Sequence, residues 1–266
     1  MSERTTAYYR PKTIEEALHL LAQPNTVPLA GGTTLLAGNV EAAVVDLQAL
    51  GLDQIRVDGS EMYIGAMVRL VDWAAFVADN SQPRSPAELL QNAIQRAGPN
   101  TYRNAATAGG VAAARLPDSE LLATMLVLEG SLLLQTPEAQ TISLADYLAA
   151  TERPAGLITE IRLSWTPGQG GSTRVARTPA DYPIVSITAW QPDGNPPRLA
   201  ATGIDDRPIR LDKSEEILAA GLTAETVSLA AAAAAGRCVH PGDFRGDTDY
   251  RSKMAGVLTG RILDGR

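Results

Sequence analysis

The chain has 266 residues, a formal net charge of −7, one cysteine and two histidines. This length predicts one large domain or two moderate ones. An acidic surface repels phosphate backbones, which argues against general nucleic-acid binding. A single cysteine excludes an internal disulfide, and also a cysteine zinc site or an iron–sulfur cluster held by this chain alone. The sequence shows no apolar run of ~20 residues and no apolar signal-peptide core, so the expectation is a cytoplasmic protein.

Short strands and helices alternate through the first 166 residues. Strands are predicted near 27–30 (short and buried), 43–47, 55–57, 61–65, 131–135 and 157–165. Helices are predicted from Thr13 to Pro24 and near 70–78, 85–97, 120–128 and 144–150. Thr13 and Glu16 have the spacing of a capping box. A short helix is expected after Gly31 and Gly32, and the small residues of segment 103–110 predict a loop.

A Pro/Gly stretch at 167–171 is the best candidate for a domain boundary. Beyond it, an antiparallel meander is predicted from strands near 174–177, 184–190, 198–204 and 208–211. Three helices follow, near 212–220, 223–235 and 248–263. Mixed α/β elements followed by strands and then helices predict the α+β class.

The first candidate site is a glycine loop that directly follows the first buried strand. It consists of Leu29, Ala30, Gly31, Gly32, Thr33, Thr34 and Leu35. Two glycines let the backbone approach a ligand closely, and successive N–H groups can form an anion-binding nest. The threonine hydroxyls add donors for phosphate oxygens. A tight strand-to-helix turn capped by Thr33 is the alternative reading, because short motifs have low specificity.

A second glycine loop comes 78 residues later and repeats the same chemistry. It consists of Thr107, Ala108, Gly109, Gly110 and Val111. Alone it is typical of a turn, but two such loops could converge on one diphosphate. The chain contains no G-x-G-x-x-G after the first strand and no G-x-x-x-x-G-K-S/T, which disfavours a Rossmann-type dehydrogenase or a P-loop ATPase. It also contains no H-E-x-x-H and no G-x-S-x-G.

Taken together, these motifs resemble a specific family. Its segments occur here in family order, at 9–17 (YRPKTIEEA), 30–36 (AGGTTLL), 64–67 (IGAM), 102–110 (YRNAATAGG), 120–129 (ELLATMLVLE), 157–163 (LITEIRL) and 249–261 (DYRSKMAGVLTGR). They cover nearly the whole chain. The chain resembles the FAD-binding medium subunit of the molybdenum hydroxylases, the xanthine dehydrogenase and carbon monoxide dehydrogenase family.

The resemblance implies a fold and a set of cofactor contacts. It implies a two-lobed FAD-binding domain of the PCMH type over 1–166, with lobes of about 1–57 and 58–166. A C-terminal domain of the carbon monoxide dehydrogenase flavoprotein type would follow over 172–266, with a three-stranded antiparallel sheet and helices. The first glycine loop would cradle the FAD diphosphate, and the second would bind FAD from the other side. Glu120 stands where the family usually has an aspartate that contacts the cofactor.

The resemblance also implies a role in electron transfer. Such a subunit is an FAD-dependent oxidoreductase component without a catalytic side chain or metal of its own. It takes electrons from the iron–sulfur clusters of a small subunit, beside a molybdopterin large subunit, and passes them to NAD, a quinone or another acceptor.

The chain departs from the family pattern at four positions. Val111 and Ala114 replace asparagines, Leu116 replaces a serine, and Thr173 replaces a lysine. Two alternatives therefore stay open. One is a degenerate subunit that has lost FAD and acts as a scaffold, and the other is a free-standing FAD oxidoreductase.

Overall fold

The computed structural model describes residues 6–38, 40–179 and 181–265, so the outer ends of the two expected domains, 1–5 and 266, lie outside it. The described chain forms three sheets, and helices pack against them. The α+β class is confirmed. None of the helices in these ranges has the length and apolar character needed to cross a bilayer.

The first sheet is parallel and has three strands. β1 (Tyr8–Tyr9), β2 (Thr26–Leu29) and β3 (Ala43–Asp46) lie in the order β1-β3-β2, and α1 (Ile14–Leu21) connects β1 to β2. Thr13 caps α1 as predicted, since its Oγ1 accepts the Glu16 N–H at 3.2 Å. The Glu16 carboxylate accepts the Lys12 N–H at 2.9 Å, one residue before the cap. The strand expected to be buried at 27–30 is only half buried, because it is an edge strand of this sheet.

The second sheet is antiparallel and supports most of the core. β4 (Ile55–Asp58), β5 (Glu61–Gly65), β6 (Ser131–Gln135), β7 (Ala139–Ser143) and β8 (Leu157–Ser164) lie in the order β4-β5-β8-β6-β7. Six helices accompany it: α2 (Leu70–Asp79), α3 (Ala87–Arg96), α4 (Asn100–Ala105), α5 (Ala108–Ala114), α6 (Glu120–Val127) and α7 (Leu144–Ala149). Every residue of α6 is buried.

Two sequence predictions between β2 and α6 are wrong, and one strand was not predicted. Segment 103–110 contains the end of α4 and the start of α5 instead of a loop, because alanine favours helix and Thr107 caps α5. Residues 33–37 form turns instead of a short helix. Strand β7 was not predicted, because its largely exposed residues lack an apolar pattern.

The third sheet has four strands, whereas the resemblance implied three. β9 (Gly168–Val175), β10 (Val185–Pro192), β11 (Arg198–Thr202) and β12 (Ile209–Arg210) lie in the order β12-β11-β10-β9. The extra strand, β12, has only two residues and pairs with β11. It corresponds to the fourth strand of the predicted meander.

The Pro/Gly stretch at 167–171 is mostly the first half of β9. Gly168 pairs with Pro192, and Gly170 pairs with Trp190. A Cβ on either glycine would lie 2.9 Å from the Cα atom of its partner. The glycines therefore permit close strand pairing at a place where their composition predicts a linker.

Three helices follow this sheet: α8 (Asp212–Leu218), α9 (Ala224–Gly236) and α10 (Thr248–Asp264). Helices α8 and α10 pack on its strands, and α9 packs on α8 and α10. Small residues allow α9 and α10 to approach closely, and Ala230, Ala234 and Ala255 are fully buried between elements. Arg251 on α10 is also fully buried. Its guanidinium donates to the carbonyl oxygens of Ile184 (2.7 Å) and Gly203 (2.8 Å) and to the Asp243 carboxylate (2.6 Å).

Replacing this arginine should destabilise the fold strongly. Arg251→Met removes the donors of two buried carbonyl oxygens and a carboxylate, so we expect the free energy of unfolding to fall by about 3 kcal/mol. Urea denaturation measures this change. Arg261→Met, at an exposed position on the same helix, is the matched control and should change it by less than about 0.5 kcal/mol. Equal losses in the two variants would contradict the assigned role.

Candidate functional site

The first glycine loop lies against residues 102–106, which directly precede the second glycine loop. A Cβ on Gly31 would clash with the Ala105 carbonyl group, 2.7 Å from its carbon, and would lie 3.1 Å from the Ala106 Cα. The backbone of the first loop therefore packs directly on the junction between α4 and α5. Across the same contact, the Thr33 side chain lies beside the hydroxyl of Tyr102. The structure thus brings the first loop next to the start of the second, although the two glycine pairs are 78 residues apart in sequence.

The first loop presents a row of free backbone donors. Gly32 adopts a left-handed conformation with φ of 72°, and the Leu36 N–H closes the turn onto the Gly32 carbonyl oxygen at 2.9 Å. Within the described part of the chain, the N–H groups of residues 31–35 have no acceptor. The loop is half exposed, so a ligand can reach these groups. Successive free N–H groups around a left-handed glycine suit an anionic group such as a diphosphate.

The second loop differs, because four of its five N–H groups, those of residues 108–111, already have partners. Ala108 and Gly109 donate to the carbonyl oxygens of Val68 and Ala66, both at 2.9 Å. Gly110 donates to Thr107 Oγ1 at 3.1 Å, and Val111 donates to the Thr107 carbonyl at 2.9 Å. A Cβ on Gly109 would lie 2.7 Å from the Ala66 Cβ, so this glycine has a packing role. The backbone donors of this loop therefore cap α5 and attach it to the second sheet.

Glu120 is buried, and both of its carboxylate oxygens are engaged. Arg174 on β9 contacts Oε2 at 2.7 Å, and Arg96 on α3 contacts Oε1 at 3.2 Å. Arg96 also donates to Ser172 Oγ at 2.8 Å. The carboxylate thus joins α3, α6 and β9, which are distant in sequence. Its contact with FAD stays a prediction.

A narrow cleft lies between α3, α5, α6 and the segment before β10. Its lining includes Tyr102, Val111, Leu116, Glu120 and Tyr182, and its volume is about 20 Å³. That space is about the size of one water molecule. Burial and the neighbouring Tyr182 raise the pKa of Tyr102, although the Thr33 hydrogen bond lowers it. Burial, with the Asp118 charge, raises the pKa of Tyr182. Both phenols therefore stay protonated at neutral pH.

Four residues of this region were not singled out in the sequence: Arg96, Tyr102, Arg174 and Tyr182. The sequence contained a clue to Arg174, because this residue directly follows Thr173, the position where the family usually has a lysine. The cation is present but displaced by one residue. Tyr102 opens the family segment at 102–110. No local pattern marks Arg96 or Tyr182, because each gains its place through contacts between distant segments.

A larger groove of about 590 Å³ lies elsewhere, between α8 and α9. Its lining includes Lys213, Ile217, Leu229 and Arg237, and it contains none of the predicted site residues. Within residues 6–38, 40–179 and 181–265, no group of three or more His, Cys, Asp or Glu side chains comes together to hold a metal ion.

Two family models match the chain. Residues 3–165 match the FAD binding domain in molybdopterin dehydrogenase. Residues 176–265 match the CO dehydrogenase flavoprotein C-terminal domain. Together they cover most of the sequence, and the first alone covers more than half of it.

Individual proteins agree with this match. The chain is 30% identical to the Escherichia coli (strain K12) protein YgfM, an uncharacterized protein, over 94% of this chain and 92% of the relative. It is 29% identical to the carbon monoxide dehydrogenase medium chain of Hydrogenophaga pseudoflava, over 97% and 95%. A crystal structure of the cyanide-inactivated Cu,Mo-CO dehydrogenase superposes with a TM-score of 0.88 at 25% identity, covering 99% of this chain and 98% of that one. The chain therefore belongs to the FAD-binding medium subunits of the molybdenum hydroxylases and is an FAD-dependent oxidoreductase subunit.

Proposed function

We propose that this chain takes electrons from the iron–sulfur clusters of a partner subunit and passes them through FAD to an acceptor. The single observation that carries the proposal is the row of free N–H groups at residues 31–35, held against the α4–α5 junction. When bound, FAD supplies the acceptance and release of electrons. The residues of this chain bind and orient the cofactor, and no protein nucleophile is required.

Each part of the site has a separate task in this proposal. The backbone of residues 31–35 holds the diphosphate, and Thr34 adds a hydroxyl from the exposed side of the loop. Residues 107–111 form the facing wall through their surface, since the N–H groups of residues 108–111 are engaged. Glu120 fixes the wall relative to β9 through Arg174.

The partners follow from what this chain lacks. One cysteine cannot hold an iron–sulfur cluster, so the clusters belong to another subunit. Relatives are described as medium chains of carbon monoxide dehydrogenase and glyceraldehyde dehydrogenase, which supports a small iron–sulfur subunit and a large molybdopterin subunit as partners. NAD and a quinone are the candidate acceptors, and the cytoplasm is the proposed compartment.

The proposed domains are 1–166, with lobes of about 1–57 and 58–166, and 172–266. The two family matches, 3–165 and 176–265, support this division. Strand β9 begins at Gly168 and so lies across the proposed boundary.

A scaffold that has lost FAD is the second candidate. Two observations favour it: the cleft beside Val111 holds only about 20 Å³, and four of the five N–H groups of the second loop are already engaged. The absorbance spectrum of the purified protein separates the two candidates. A flavin spectrum supports the electron-transfer subunit, whereas a colourless protein that still binds an iron–sulfur subunit supports the scaffold.

The glycine at the centre of the first loop should matter more for binding than for stability. Gly32→Ala forces a side chain into a left-handed backbone at a half-exposed turn, so the loop should rearrange locally and its N–H groups should diverge. We expect FAD affinity to fall at least about tenfold, which corresponds to about 1.4 kcal/mol, with little change in the melting temperature of the apoprotein. Fluorescence titration and thermal unfolding measure the two quantities.

The matched control for this variant is Gly38→Ala in the same loop region. A Cβ there has no neighbour closer than 4.0 Å, so it should leave both quantities unchanged. Equal losses of stability and affinity in Gly32→Ala would contradict the proposal and would favour a purely structural turn.

Electron transfer itself is testable in the assembled complex. After the clusters are reduced with dithionite, stopped-flow absorbance should show the bound flavin becoming reduced as the clusters are reoxidised. A mixture without the iron–sulfur subunit is the control and should lack this phase. An isolated chain that oxidises a small substrate at full rate and binds neither partner would contradict the proposal and favour the free-standing oxidoreductase.

A further inference from the structure

Three aromatic side chains stand exposed at the mouth of the candidate cleft. Tyr182 also lines that cleft, and the proposed function assigns no task to any of the three. Phe244 is 85% exposed, Tyr182 is 45% exposed and Tyr250 is 38% exposed. The chain is poor in aromatic residues, at 5%. Among the described residues only two other aromatic side chains, Tyr8 and Tyr9, are exposed. We call Phe244, Tyr182 and Tyr250 the aromatic patch.

The members of the patch surround one turn. A Cβ on Gly246 would lie 2.8 Å from the Tyr250 ring and 3.4 Å from the Ile184 side chain, two residues after Tyr182. Arg245 makes an ion pair with Asp118 at 3.2 Å. Asp118 and Tyr182 both line the candidate cleft. The patch is therefore continuous with the mouth of that cleft.

The turn that carries Phe244 is held rigidly. Asp243 and Gly246 exchange backbone hydrogen bonds at 3.0 and 3.1 Å. The buried guanidinium of Arg251 donates to the Gly246 carbonyl at 3.0 Å and to the Asp243 carboxylate at 2.6 Å. Burial alone would raise the pKa of Asp243, but hydrogen bonds from the Arg245 backbone and from both arginine side chains lower it well below its usual range. Phe244 is thus presented to solvent on a preorganised turn, as in binding hot spots.

The charges around the patch are unbalanced. Asp118, Asp243, Arg245 and Arg251 neutralise one another through ion pairs. The rim also holds three exposed aspartates, at 181, 247 and 249. Their carboxylates make no ion pair with any residue that the structure describes. The rim is therefore acidic, and it complements a basic surface.

We propose that the aromatic patch is the docking surface for the iron–sulfur subunit. That subunit would present an apolar pocket for Phe244, ringed by Lys and Arg side chains that face the acidic rim. This inference rests on the proposed function. The iron–sulfur subunit is the favoured occupant because an electron donor must sit close to the flavin, and a protein on this patch covers the mouth of the cleft formed with Val111 and Glu120.

The test measures association of the purified chain with the iron–sulfur subunit by biolayer interferometry. Phe244→Asp should weaken binding at least tenfold. Leu229→Asp, an exposed apolar position (52%) on α9 outside the patch, is the matched control and should leave binding unchanged. Asp249→Lys should also weaken binding, and wild-type binding should fall as salt concentration rises. Melting temperature and flavin content should be the same in all four proteins.

Four results would overturn the proposal. Unchanged binding of Phe244→Asp, or no binding by the wild type, would show that the aromatic patch is not the docking surface for the iron–sulfur subunit. Loss of flavin from the isolated Phe244→Asp chain would place the patch in the cofactor site. A wild-type dimer that Phe244→Asp converts to monomer in sedimentation would make the patch a contact between copies of this chain. A wild type that lacks flavin but still binds the iron–sulfur subunit through Phe244 would contradict the proposed function. It would nevertheless support the aromatic patch as the docking surface.

Discussion

Helix α6 is held at both ends by arginines of the third sheet, and this arrangement fixes the relation between the second and third sheets. At its N-terminal end, Glu120 binds Arg174 of β9 at 2.7 Å. At its C-terminal end, the Leu126 carbonyl accepts from Arg210 at 3.2 Å, and the Val127 carbonyl accepts from Arg198 at 3.4 Å. A cation is favourable at a helix C-terminus, where the carbonyl groups lack intrahelical partners. Because α6 is buried along its whole length, moving the third sheet would break these contacts and open the core.

The first sheet joins this framework through packing. Gly31 lies on the α4–α5 junction without a Cβ, and the small core of the first sheet includes Met67 and Leu157 from the region of the second sheet. The core of the second sheet therefore fixes the backbone of the first loop, which carries the free N–H groups, although the loop itself is half exposed. This explains how a site can have one loop with unpaired backbone donors and another in which most backbone donors are used. The second loop, whose backbone is attached to the second sheet, orients the ligand. The first loop, whose N–H groups are free, binds the negative charge of the ligand.

The sequence predicted those elements whose pattern is local. Apolar periodicity and capping residues located most helices, and β-branched and apolar runs located most strands. Strand β7 was missed because its exposed residues carry no pattern, and β9 was partly read as a linker because its glycines serve close pairing. The two glycine loops are recognisable from their composition. The structure places the first loop beside the segment that precedes the second, and their joint binding of one diphosphate stays a prediction. The partners of Glu120 are 24 and 54 residues away in sequence, and such contacts arise only from the tertiary packing.

The central claim is that residues 31–35 hold the FAD diphosphate while Glu120 remains paired with the arginines. A crystal structure of the cofactor-loaded chain tests it most directly. The account predicts diphosphate oxygens within about 3 Å of the N–H groups of this loop, an ordinary hydrogen-bond distance. It also predicts that the contact between Glu120 and Arg174 persists. A diphosphate bound elsewhere, or a Glu120 carboxylate released from Arg174 to contact the cofactor, would contradict the account.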